Sequence, residues 1–235
     1  MSGWRWRSVA SGLSLRVRRL GWFYGAGLAI SMAALLGFAQ LADVILEGKA
    51  RQLNLAVLQS LHARSSPFWD RLALALTMLG SIAGTTLMTS LAAVFFLWRR
   101  RLADAATLVL AVLGGGGLVT ILKHSFQQPR PELFESLAPA HGFSFPSGHA
   151  LLSVCLYGYL AAVLVLDRPR QRLRWLGAAT LVLLALAIGW SRLYLGVHWL
   201  SDVAAGMLAA AFWLACCLMA QRFAQTRSAS GGRRL

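Results

Sequence analysis

Acidic side chains are what this sequence has least of. Only 8 Asp and Glu stand among 235 residues, against 23 Lys and Arg, and charged residues of both signs make up 13%. A soluble domain averages about 25% charged and roughly 45–50% apolar residues. With 57% hydrophobic residues and a mean hydropathy of +0.60, a water-facing globular fold is excluded. Cysteine is scarce too: Cys155, Cys216 and Cys217 lie in apolar stretches and form no CxxC. Adjacent cysteines rarely pair, so all three read as packing residues. Strand-like alternation is missing, which argues against a barrel. The arginine-rich N-terminus followed by an apolar run superficially resembles a signal peptide. The apolar run from about 21 to 46 exceeds a 7–15-residue h-region and ends in no small-residue cleavage site, so it reads as a retained membrane helix. The formal net charge of +15 would suit nucleic acid, but most of the arginines sit in short segments between apolar runs, and no nucleic-acid partner is expected.

What is present is a series of apolar runs of membrane-spanning length. A window of about twenty residues places spans near 22–46, 72–97, 102–122, 149–166, 173–191 and 202–221. The expected fold class is all-α: a polytopic bundle of six transmembrane helices. Trp22, Trp98, Trp175, Trp190 and Trp199 fall near span ends, where an indole suits the headgroup region, while Trp213 falls mid-span and reads as packing. Sixteen cationic residues gather at one face: Arg5, Arg7, Arg16, Arg18 and Arg19, then Arg99 to Arg101, then Arg168, Arg170, Arg172 and Arg174, then Arg222, Arg227, Arg233 and Arg234. Seven gather at the other, so the positive-inside rule puts both termini in the cytoplasm. Between about Glu47 and Arg71, Leu55, Leu58 and Leu61 recur at a spacing of three, which predicts an interfacial amphipathic helix after the first span. The chain divides into a basic N-terminal segment (1–20), a membrane domain (21–222) and a flexible basic tail (223–235).

Three polar groups fall at the outer face by this count. Lys123 and Arg130 are seven residues apart, so on a continued helix they share a face about 10 Å apart along the axis. Pro146-Ser147-Gly148-His149 opens the fourth span, where backbone N–H groups and the helix dipole favour an anion. His198 and Asp202, spaced i and i+4, let a carboxylate fix the imidazole tautomer and free the other nitrogen as nucleophile or base. Singly, each has an ordinary explanation: snorkelling cations, a helix start, a structural His–Asp cap. A zinc site on His149, His198 and Asp202 is the sharper rival. Lys123, Arg130 and Arg192 oppose it, because fixed cations repel a divalent metal and attract phosphate.

The pattern Lys123-x6-Arg130-Pro131, Pro146-Ser147-Gly148-His149 and Ser191-Arg192-x5-His198-x3-Asp202 resembles the three-part signature of the type 2 phosphatidic acid phosphatase superfamily in residue type, order and spacing. It covers 123–202, about a third of the chain, and the six-span layout resembles the family's bacterial membrane members. The resemblance implies phosphate-ester hydrolysis with no metal and no cofactor. His198 is then the nucleophile, oriented by Asp202. His149 is the proton donor to the leaving oxygen and later the base for water. Lys123, Arg130, Arg192 and the Ser147–Gly148 amides hold the phosphate oxygens, and Ser191 supplies a supporting hydrogen bond. The implied substrate is a lipid phosphate of the phosphatidic acid, phosphatidylglycerol phosphate or undecaprenyl diphosphate type, met at the periplasmic or exterior face of a bacterial inner membrane. A phosphotransferase of the same chemistry and a silent lipid-binding scaffold are the alternatives. Outside the signature, His124, His141, Glu132 and Glu135 read first as ordinary exposed residues of the outer loop, with substrate contact the alternative, and Gly114 to Gly117 invite close approach of a helix or a lipid chain, with packing favoured.

Overall fold

Backbone polar groups inside lipid must be satisfied within their own segment, and every regular element among the described residues is helical. The computed structural model describes residues 3–134, 136–138, 140–167 and 171–231. In chain order the helices are α1 (Gly3–Leu46), α2 (Arg51–His62), α3 (Pro67–Gly80), α4 (Ile82–Trp98), α5 (Leu102–Phe126), α6 (Gly148–Ser153), α7 (Tyr159–Asp167), α8 (Arg172–Tyr194) and α9 (Leu200–Gly231). A π-helical turn over Val154–Gly158 joins α6 to α7. Five stretches are long and apolar enough to cross a membrane, and a sixth is reached only by counting α3 and α4 as one.

The second expected span, at 72–97, is therefore a correction. It is no single helix but two, meeting at a 56° bend. Ser81 leaves the helix with an extended conformation (φ −66°, ψ 163°), and its hydroxyl accepts the Gly84 N–H at 3.0 Å to start α4. Glycine flanks the break because nothing larger fits. A Cβ at Gly80 would lie 2.3 Å from Ile188 Cγ2, and one at Gly84 would lie 2.1 Å from the Met78 carbonyl oxygen.

Within the predicted amphipathic segment, α2 forms over Arg51–His62 and buries Asn54 and Leu58. Asn54 is bonded reciprocally to the start of α9: its amide donates to Ser201 Oγ at 3.0 Å, and its carbonyl accepts the Ser201 N–H at 3.2 Å. His62 stacks on Phe134 with ring centroids 3.9 Å apart. The main core lies between α5, α6, α8 and α9, where Leu108, Leu151, Leu156 and Ile188 are fully buried. Cys155 and Cys217 are buried free thiols within it. At the end of the bundle remote from the loop between α5 and α6, the buried Asp104 accepts from Arg101 Nε (2.7 Å), Gln221 Nε2 (2.8 Å) and the Tyr159 hydroxyl (3.2 Å), joining α5, α7 and α9.

Helix α9 runs on through 223–231 of the stretch expected as tail, and α1 takes in 3–20. Residues 232–235, together with Arg168, Arg170 and Glu135, lie outside the described residues.

The four glycines of α5 divide in two. A Cβ at Gly114 would stand 2.4 Å from Trp213 Cζ2, and one at Gly115 would stand 2.9 Å from Cys155 Sγ, whereas Gly116 and Gly117 meet nothing within 4 Å. Trp213 completes the close packing by donating to the Ala111 carbonyl at 3.1 Å. Gly114→Leu should therefore destabilise the bundle by about 1–3 kcal/mol through overpacking, while Gly117→Leu should be near neutral. Thermal midpoints of the two variants in detergent, compared with the parent chain, check the contrast.

Candidate active site

Three segments converge at one end of the bundle, and their meeting point is Asp202 in the first turn of α9. The carboxylate is fully buried. Its Oδ2 accepts the Trp199 N–H at 2.8 Å, lies 3.2 Å from His198 Nδ1 and accepts the Ser144 hydroxyl. The Asp202 backbone carbonyl accepts the Ser147 N–H at 2.9 Å. Because α9 begins at Leu200, His198 precedes the helix, and the expected pairing across a helix face becomes a pairing across its N-terminus.

An ionised carboxylate only accepts, so the nitrogen facing it carries the proton. His198 thus holds its hydrogen on Nδ1, which also lies 3.3 Å from Ser144 Oγ. The other nitrogen, Nε2, carries no proton and accepts from Arg130 Nη1 at 3.3 Å. The ring is 2% exposed. Burial first, then the charges of Arg130, Arg192 and Lys123, hold its pKa well below the ordinary histidine value, so the imidazole is neutral.

The cations reach this point by different routes. Lys123 closes α5 and donates to the Phe143 carbonyl. The helix does not continue to Arg130. Gln127 turns left-handed (φ 46°), its N–H caps the Lys123 carbonyl, and Pro129 and Pro131 forbid further helix. A loop therefore carries Arg130 over the site, and the shared helix face is corrected to a loop-and-helix pair. Arg130 ties the loop together: Nε donates to Gly142 O (3.0 Å), Nη1 to Val197 O (2.7 Å), and Nη2 to His141 O (3.1 Å) and Phe143 O (3.3 Å). Gly142, at φ +70°, supplies the left-handed turn that this carbonyl cluster requires. Burial lowers the Arg130 pKa from its ordinary value, with the Asp202 charge acting the other way. Arg192, at the end of α8 and 4% exposed, donates from Nη1 to Thr77 Oγ1, while its Nε has no partner.

His149, in the first turn of α6, lies beside Gly80 at the α3–α4 break, where a Cβ would come within 3.4 Å of its ring. Ser147 precedes α6, but its amide is committed to Asp202, which corrects its expected place among free phosphate-binding amides. Its buried hydroxyl has no partner. Ser191 spends its hydroxyl on the Ile188 carbonyl (2.7 Å) within α8. A cavity of about 580 Å³ joins Lys123, Arg130, Gly148, His149, Arg192 and His198 at its polar end and passes between α4 and α5 along Thr86, Leu113 and Gly116. His141 lines it as well, whereas Glu132 lines a separate pocket against α2. His124 is exposed, edge-on to Phe143. Among the described residues, no three His, Cys, Asp or Glu side chains gather as a metal-ligating set.

Sequence reasoning missed Ser144 and Thr77. Ser144 stands two residues before Pro146 with no spacing that marks it, and Thr77 is one hydroxyl inside an apolar run.

The family model of the PAP2 superfamily matches residues 104–226, just over half of the chain. The chain belongs to that superfamily. Phosphatidylglycerophosphatase B of Bacillus subtilis is 36% identical over 104 residues, covering 42% of this chain and 49% of that protein. The chain thus aligns with about half the length of that curated relative. A putative undecaprenyl-diphosphatase, YbjG of Escherichia coli, is 33% identical over 144 residues, 58% of this chain and 66% of its own. Among solved structures, a transmembrane PAP2-type phosphatidylglycerolphosphate phosphatase from Bacillus subtilis superposes with a TM-score of 0.73 at 25% identity, covering 80% of this chain and 93% of the other. Aquifex aeolicus LpxE gives a TM-score of 0.56 at 28% identity, over 71% and 94% of the two chains.

The neutral, buried His198 has a consequence for stability. Its free counterpart titrates near pH 6.5 and the native ring well below. The unfolded chain therefore binds a proton that the native state refuses, and stability present above pH 6.5 is lost as pH falls below it, by about 1.4 kcal/mol per unit. Thermal midpoints in detergent should fall more steeply between pH 6.5 and 4.5 for the parent protein than for His198→Gln.

Proposed function

We propose that this PAP2-superfamily protein is an integral-membrane lipid phosphate phosphatase that works through a phosphohistidine on His198 and needs no metal. One observation carries the reading above the rest: His198 presents an unprotonated Nε2 to Arg130, with Nδ1 held on Asp202, inside a cavity lined by three cations. A neutral imidazole among cations is a nucleophile placed against an anion site.

The steps follow from the residues. Nε2 attacks phosphorus and the bond to the leaving oxygen breaks. His149, protonated once the bound phosphate anion offsets the surrounding cations, gives that oxygen its proton. Asp202 offsets the charge developing on the ring. Lys123, Arg130 and Arg192 face the equatorial oxygens, with Gly148 lining the cavity beside them and the Ser147 hydroxyl lacking a partner nearby. His149, now neutral, takes a proton from water, whose oxygen attacks phosphorus. The P–N bond breaks, phosphate leaves, and His198 is restored. The guanidinium donors of Arg130 rest on carbonyls until phosphate competes for them.

The cavity leads from the cations into the membrane-facing gap between α4 and α5, which suits a phosphate in water and a tail in lipid. Phosphatidylglycerol phosphate and undecaprenyl diphosphate are candidate substrates in keeping with the activities named for the Bacillus and Escherichia relatives, and phosphatidic acid is a third candidate. We place the site at the periplasmic or exterior face with both termini in the cytoplasm, count α3 and α4 as one of six spans, and lay α2 along the interface.

Purified protein in detergent with EDTA should release inorganic phosphate from at least one of these three lipids. His198→Ala should lower the rate by about a thousandfold or more. Arg130→Lys should lower it about 10- to 100-fold, because the ammonium cannot reproduce a planar fork. Near-normal release by folded His198→Ala would refute the nucleophile assignment.

A further inference from the structure

We infer that Ser144, which lies outside the three-part signature, is a positioning residue for the reaction, holding His198 in its Nδ1–H tautomer through a hydroxyl shared with Asp202. The inference rests on the phosphatase reading given above.

Ser144 is fully buried, and its backbone N–H is anchored on the Gln128 carbonyl at 2.8 Å. Its hydroxyl has one proton and lone pairs to spare. The proton goes to Asp202 Oδ2, because a carboxylate cannot donate in return. That leaves an oxygen lone pair 3.3 Å from His198 Nδ1, beside the carboxylate oxygen at 3.2 Å. The Nδ1 hydrogen is therefore shared between two acceptors on the same side of the ring, and moving it to Nε2 would leave both facing a lone pair. Asp202 Oδ1 is buried with no partner, so Oδ2 carries the whole arrangement. Trp199 N–H and the Ser144 hydroxyl hold that oxygen from the α9 side and from the 141–144 loop. Without the hydroxyl, the carboxylate keeps only the Trp199 amide and the ring itself.

Ser144 does not line the cavity, whereas Lys123, Arg130 and Arg192 do. Its removal should then slow the chemical step and spare binding. Ser144→Ala removes one buried oxygen and adds no bulk. The expected result is a kcat about 10- to 100-fold lower, the loss typical of a hydrogen bond to a charged group, with KM within about twofold of the parent. Ser144→Thr, which keeps the hydroxyl, should recover most of the rate. Long-range proton–nitrogen spectra of histidine-labelled protein in detergent supply a second readout. The His198 ring should show a single Nδ1–H tautomer in the parent and a mixture in Ser144→Ala.

A kcat within about twofold of the parent in folded Ser144→Ala, or an unchanged tautomer, overturns the inference. So does a loss confined to KM, which would make Ser144 a binding group. If the parent protein itself releases no phosphate from any lipid phosphate tested, the functional reading fails instead, and the tautomer measurement still decides the role of Ser144.

Discussion

The buried carboxylate of Asp202 is the junction on which the rest of the site depends. Through its side chain it holds His198, Ser144 and the start of α9, and through its backbone carbonyl it holds the turn that opens α6. That approach needs Gly206, where a Cβ would lie 2.6 Å from the Ser147 carbonyl oxygen. An unpaired carboxylate this deep in an apolar bundle would be costly. Three donors and the nearby cations offset the cost, and in doing so they fix the tautomer that leaves Nε2 open to the cavity.

The cationic side follows a different logic. Arg130 and Lys123 donate to main-chain carbonyls over 141–143 and at Val197 and form no direct ion pair among the described residues, so with Arg192 three cations stand near His198 against the single carboxylate of Asp202. Carbonyl dipoles hold a guanidinium in place without neutralising it, and the positive charge left in excess of the one carboxylate attracts an anion. Arg192 is held in the same way, by the neutral Thr77 hydroxyl. At the far end of the bundle Arg101 is paired with Asp104 and Asp167, which makes that cluster a helix clamp and not an anion site.

Much of this was legible in the sequence because lipid imposes a simple code. Apolar runs of about twenty residues have to be helices, and charges left near them are few enough to be noticed one at a time. Lys123, Arg130, His149, Arg192 and His198 all line one cavity, and Asp202 pairs with His198 as its spacing suggested. The parts that escaped depend on local breaks and single hydroxyls. Hydropathy averages over Ser81 and hides the bend between α3 and α4, although Gly80 and Gly84 flank it. Helical spacing misplaced Arg130, since the left-handed Gln127 stops α5 first. Ser144 and Thr77 act through contacts to residues 58 and 115 positions away, and no local pattern carries information over such separations.

The most direct test of the account is the site of covalent labelling during turnover. Quenching the enzyme with phosphatidylglycerol phosphate under alkaline conditions, which preserve phosphoramidates, and mapping the peptides by mass spectrometry should place the phosphoryl group on His198 alone. A phosphoryl group on His149 or on any other residue, or turnover with no covalent intermediate at all, would contradict it.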